Sequence, residues 1–251
     1  MEEEFKKSGI IPVSSASEIK KLFGEPKIAM WNHEKNRGIT WRIPDLNSPH
    51  EELQNIMKLD GFVIKEYEHA VVLRGGKLYA SIPSGVYKLA KKAKLPGTEI
   101  IWIDKRQFKT NWGSPDLFTR EGIKIGMHGI TILRVDDPVK FVVNVLSAKR
   151  TFTEEDVKDW VRETVVNVLR SVLGNFPIEK ALTERDLLIA SIRAKARELF
   201  AQWGIELISL EVLGFNVPPE YEEIALRAGL EEYKARRKIL RSENLMEDEN
   251  G

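Results

Sequence analysis

The order of apolar periods along residues 61–219 constrains this chain more than any single motif does. Residues 61–89, 100–108 and 123–135 read as strands, rich in β-branched and aromatic residues and broken by Gly and Pro. Residues 154–173 and 184–203 then repeat apolar side chains at helical spacing, and residues 205–217 return to strand before Pro218-Pro219. Strands first and helices second point to an α+β fold. A mixed sheet with helices closes into a compact module without the Gly-rich cradle of a cofactor site.

Local signals fill in this order. Arg74-Gly75-Gly76-Lys77 is a hairpin turn, because consecutive glycines reach the positive φ that such turns demand. Ile125 and Met127, then Ile130 and Ile132, suggest a bulge near Gly129. Val157, Val161, Val165, Val168 and Val172 fall on one helix face, and Leu188, Ile192, Ala196, Leu199 and Trp203 on another. The stretch 108–118 reads as an irregular loop or edge. Upstream, residues 27–31 and 38–43 are strand-like and joined by charged turn formers, so they read as a hairpin across which Trp31 and Trp41 can pack. Ser48-Pro49 opens a short helix carrying Leu53, Ile56 and Met57. The expected organisation is an N-terminal extension over 1–60, a main domain over 61–217, and a C-terminal helix with a disordered tail over 218–251.

The search for chemistry finds no catalytic, cofactor-binding or metal-binding set. There is no cysteine, which removes disulfides, thiol nucleophiles and cysteine zinc sites and suits a reducing cytoplasm. The four histidines, His33, His50, His69 and His128, have no metal-ligand spacing, so each reads as structural or solvated. No phosphate-binding glycine loop or nucleophile elbow occurs. Glu66 and Glu68 would share one face of a strand at a solvated edge. The rival reading is a small-ligand or enzyme pocket built on Glu66, Glu68 or His69. With 39 basic and 38 acidic residues, no global field draws in nucleic acid. High Lys and Glu content also fits a heat-loving source.

What remains is surface. Ile19, Leu22 and Phe23 share one face of a short helix beside Lys20 and Lys21, which fits docking on its own domain or contact with a membrane. No run reaches the roughly 18–20 apolar residues of a spanning helix, and the start, Met-Glu-Glu-Glu-Phe, is not a signal peptide. Trp112, placed in a loop, is the tryptophan best suited to an exposed contact, the other reading being that it packs under its own loop. Beyond Pro219, Tyr221, Ile224, Leu230, Tyr233 and Leu240 make the apolar stripe of a helix suited to oligomer or partner contact.

The string Val63-Ile64-Lys65-Glu66-Tyr67-Glu68-His69-Ala70-Val71-Val72-Leu73-Arg74-Gly75-Gly76-Lys77, followed by Ile82-Pro83-Ser84-Gly85-Val86-Tyr87, resembles the opening hairpins of SPFH domains, the stomatin, prohibitin and flotillin family. Val135-Asp136-Asp137-Pro138-Val139-Lys140-Phe141 is similar to their strand-to-helix junction, and 204–220 to their closing strand and proline turn. Thr40-Trp41-Arg42-Ile43-Pro44 and the segment 105–113 resemble the soluble, virion-core-protein-like branch. The resemblance implies a curved, mostly antiparallel sheet flanked by helices, with the small hairpin/helix segment before it and the C-terminal helix after it. It also implies a non-enzymatic scaffold that self-associates as a homo-oligomer and organises, or is recruited to, membrane-associated protein partners. The expected place is the cytoplasm, peripheral on the inner face of a membrane. The membrane-inserting hairpin and long coiled coil of some relatives are absent, so a small oligomer is expected, with no transmembrane segment and no cofactor.

Overall fold

In the computed structural model, residues 8–35, 37–44, 56–93, 97–146, 154–224 and 226–227 are described. The strands are β1 (Ile10–Val13), β2 (Ile28–Met30), β3 (Thr40–Ile43), β4 (Gly61–Ile64), β5 (Glu68–Arg74), β6 (Lys77–Ile82), β7 (Gly85–Leu89), β8 (Thr98–Asp104), β9 (Phe108–Phe118), β10 (Lys124–Val135) and β11 (Ile205–Asn216). The α-helices are α1 (Ala16–Phe23), α2 (Pro138–Phe141), α3 (Glu154–Leu173), α4 (Ile178–Thr183) and α5 (Arg185–Gln202); α2 runs into a π turn over Val142–Leu146. The α+β class, the strand-dominated order and the antiparallel preference all hold.

Pairing divides the strands into three sheets, with orders β1-β7-β4-β2, β3-β8-β5-β6 and β11-β10-β9. Within the first two sheets every pairing is antiparallel except β2 with β4. This corrects the hairpin expected over 27–47. Its strands form, but β2 joins the first sheet beside β4 and β3 joins the second beside β8. Trp41 therefore packs on Trp102, its register partner, with ring centroids 4.8 Å apart, and Trp31 stacks on His33 instead.

The chain divides into two compact units. One comprises 1–108, 132–160 and 199–208, the other 109–131, 161–198 and 209–251. In the first unit a continuous core gathers Ala29, Phe62, Ile64, Tyr87 and Leu89 of the first sheet with Ala70, Val72, Ile100 and Trp102 of the second. Alternation sends Val71, Ile101 and Ile103 to the opposite face of the second sheet, and they are buried as well. Burying both faces is why 100–103 is an unbroken apolar run. The Arg74–Lys77 turn forms as expected, with Gly75 and Gly76 at φ 56° and 75°. Asp137 caps α2 by accepting the Lys140 N–H at 3.0 Å.

In the second unit the segment 109–118 is strand, so the loop expected there is corrected while its position at a sheet edge holds. Burial of the odd-numbered positions of β10 runs on through Gly129. Residues 125, 127, 129, 131, 133 and 135 of β10 are all buried, and Ile130 and Ile132 simply occupy the other face. Gly129 is small because a Cβ there would meet the Glu211 carbonyl oxygen of β11. The valine stripe of α3 is buried as expected, while Phe200, and not Leu199, takes the inward place on α5.

Each open sheet edge among the described residues carries a guard against strand addition. β1 contains Pro12, β9 contains Pro115, β2 and β3 are short, and β6 carries a register shift opposite Val72/Leu73. On β11, the Glu211 carbonyl faces β10, so that of Leu210 points the other way, where Arg193 Nε of α5 donates to it at 2.8 Å.

Candidate functional site

Among the described residues, a cluster of ionisable side chains lies where the connections around 31–39, 65–67 and 104–107 converge. Backbone bonds hold them together, from Asp104 N to Ile39 O and from Lys105 N to Tyr67 O, each 2.8 Å. Glu68 opens β5 yet is only 2 % exposed, which corrects the solvated edge expected for it. Its Oε1 accepts from His33 Nε2 at 2.7 Å and faces Lys65 Nζ at 3.6 Å, and its Oε2 accepts the Lys65 N–H at 2.9 Å. The other ring nitrogen of His33 is left to accept from Arg106 Nη2 at 3.4 Å. Arg106 forks onto buried Asp104 at 2.6–3.0 Å and lies over the Tyr67 ring. Lys65 Nζ also donates to the Trp31 carbonyl at 2.8 Å.

This arrangement has little freedom for acid–base chemistry. Both Glu68 oxygens are engaged, and two carboxylates face two fixed cations around a stacked imidazole. Its effect is to fasten three connections to one another. The alternative pocket does not assemble. Glu66 is exposed in the turn before β5, and His69 projects to the face opposite Glu68, where its Nε2 meets Ser81 Oγ at 2.8 Å. Burial pulls the His69 imidazole down to about 4, with the Lys105 charge acting in the same direction and Asp137 against it. Among the described residues no three His, Asp or Glu side chains are placed to hold a metal ion.

The residues expected to make contacts separate into groups. Trp112 is 3 % exposed and packs over Gly129, so it is core and not a surface contact. Ile19 is fully buried, its Cδ1 lying 2.7 Å from where a Cβ on Gly61 would stand. That removes it as a membrane contact. Lys20, Lys21, Leu22 and Phe23 remain exposed. Tyr221 and Ile224 are half-buried, while Leu230, Tyr233 and Leu240 lie outside the described residues. No helix among the described residues is long and apolar enough to cross a membrane.

Sequence reasoning missed His33 as the partner of Glu68 because 35 residues separate them and the pairing of β2 brings them together. A lone carboxylate opening a β-branched run was the only trace of it.

Comparison with known proteins adds an independent finding. The model of the SPFH domain / Band 7 family matches residues 62–246. A protein of Archaeoglobus fulgidus with no named role is 25 % identical over 182 residues, covering 72 % of this chain and 68 % of that one. Stomatin-like protein 3 of Mus musculus is 26 % identical over 192 residues, 73 % of this chain and 60 % of its own length. A stomatin homolog of Pyrococcus horikoshii is 24 % identical over 185 residues, 72 % and 63 % respectively. The chain thus spans less than two thirds of these two stomatin-named relatives.

Proposed function

The chain belongs to the SPFH domain / Band 7 family, and we propose that it works as a non-enzymatic scaffold that self-associates and organises, or is recruited to, membrane-associated proteins. The family match over 62–246 carries this reading. The engagement of Glu68, His33, Asp104 and Arg106 with one another supports it, because this ionisable cluster is spent on fastening loops. On this reading the protein is cytoplasmic and peripheral, of the soluble, virion-core-protein-like branch. The 61–217 domain works with the C-terminal segment, through Tyr221, Ile224, Leu230, Tyr233 and Leu240.

Sedimentation of the full chain over a wide concentration range tests it. The expected result is a mass that rises with concentration, and an association weakened about tenfold or more when Tyr233→Asp and Leu240→Asp are combined. A monomer at every concentration rejects self-association.

A further inference from the structure

We infer that His33 is a proton-binding site that works as a latch. On taking up a proton it draws Asp104 away from Arg106 and releases the guanidinium to water.

The strand register sets the problem that the imidazole answers. Glu68 of β5 and Asp104 of β8 are direct partners across the second sheet, so two carboxylates stand opposite each other on one face. The Glu68 side chain is fully enclosed and that of Asp104 is 11 % exposed. Like charges facing each other in such a place repel, and a cation between them relieves the repulsion. His33 stands there. Its Nε2 is 2.7 Å from Glu68 Oε1 and its Nδ1 is 3.7 Å from Asp104 Oδ2. Trp31, stacked at 4.0 Å, and the Tyr67 ring at 5.5 Å restrict the imidazole.

In the structure two cations balance these carboxylates from either side. Lys65 Nζ lies 3.6 Å from Glu68 Oε1, and Arg106 forks onto Asp104. The neutral ring donates from Nε2 to Glu68, so the lone pair of its Nδ1 accepts from Arg106 Nη2 at 3.4 Å. A proton on Nδ1 inverts that contact. The nitrogen becomes a donor, and two cations then face each other at 3.4 Å with an anionic oxygen 3.7 Å away.

Exposure decides which group yields. The Arg106 side chain is 53 % exposed, so water can take over its hydrogen bonds, whereas that of His33 is 18 % exposed. Asp104 therefore turns to the ring. Arg106 leaves both Asp104 and the face of Tyr67, over which it lies at 4.3 Å. Glu68 keeps its bond to His33 throughout and gains a charged donor. Acid thus frees the arginine of one connection while 31–39 stays fastened to β5. Of the other charged groups nearby, Glu34, Lys35, Arg37 and Glu66 are exposed, and Lys105 acts on His69 across the sheet. Imidazole changes charge between about pH 5 and 8, and the release of Arg106 follows that change.

Nitrogen-15 NMR of the full chain from about pH 8 to 5 tests the inference, reading both His33 ring nitrogens and the Arg106 Nε–H. At the upper end the ring should be the Nε2–H tautomer, and both nitrogens should move to imidazolium values on acidification. The Arg106 Nε–H should follow with the same midpoint and exchange with water at least about tenfold faster in acid. The Arg134 Nε–H, donated to Glu206, should show no step there.

Arg106→Gln removes the competing cation and should tighten proton binding at His33 about tenfold, while Asp104→Asn should weaken it about tenfold. His33→Gln should hold the Arg106 signal steady across the range. Should that variant fail to fold, Arg106→Gln decides, since it alters a half-exposed side chain. An Nδ1–H tautomer at the upper end overturns the inference, as does an Arg106 signal that stays put while His33 titrates. So does an Arg106→Gln variant with unchanged proton affinity, or a His33 that stays neutral throughout the range in the folded chain.

Discussion

The two sheets of the first unit share one core and treat their other faces in opposite ways. The β3-β8-β5-β6 sheet buries Val71, Ile101 and Ile103 on its far side, whereas the β1-β7-β4-β2 sheet leaves Val13, Val86, Val63 and Met30 partly open. The first pattern makes framework of the two middle strands, β5 and β8. The second supplies framework on one side and an open surface on the other, from shorter strands. Burial on two faces ties up most side chains of β5 and β8, whereas β6 at the edge of the same sheet stays largely exposed.

Substitutions can break or sharpen this contrast. The largest effect belongs to Trp102→Ala in the closed sheet. This fully buried ring packs on Trp41 and Phe62, and its loss should cost about 3–5 kcal/mol in denaturant unfolding. Met30→Ala in the open sheet should stay within about 0.5 kcal/mol. A similar Trp102 value would show that the core is not shared as described.

Glu68→Ala comes next, at about 3 kcal/mol, because it strands Lys65 and His33 beside a buried gap. Its signature is faster amide exchange over 31–39 and 65–67, with the rest of the open sheet unaffected. A smaller effect than that of Glu68→Ala is on pH. The His69 imidazole, lowered from its ordinary 6.5 to about 4, binds a proton in the unfolded chain before it does in the folded one. Stability is therefore full above about pH 6.5 and falls as pH drops toward 4, by on the order of 1–2 kcal/mol after allowance for partial exposure. His69→Gln should flatten the slope between pH 7 and 5, and an unchanged slope would remove His69 as its source.

Much of this was legible in the residues. The unbroken run at 100–103 announced a strand, and the stripes on α3 and α5 gave helices most of whose named residues are buried, although Leu169 and Leu173 of α3 and Phe200 of α5 went unnamed. The Gly75-Gly76 turn needed no tertiary information. Partner choice among strands was not legible. Nothing local says that β2 should lie parallel to β4 while β3, ten residues later, should pair with β8. From that one gap followed the misplaced Trp31–Trp41 contact, the missed His33–Glu68 pair and the unseen row ending at Met30. Trp112 was misjudged for a different reason, since Gly113, Ser114 and Pro115 signal a turn although the segment is an edge strand, where a proline is tolerated. The apolar face of α1 was read correctly, but only the sheet beneath it decided that Ile19 is covered and Phe23 is not.

Arg193, donating to the carbonyl of Leu210, has a consequence for the self-association proposed above. Copies confined to a two-dimensional surface collide far more often than copies in dilute solution, and many of those collisions bring backbone against backbone. At the described edges, proline, brevity, an irregular register and a borrowed guanidinium hinder such encounters from zipping together. Crowding can then proceed without the molecules hardening into a fibre.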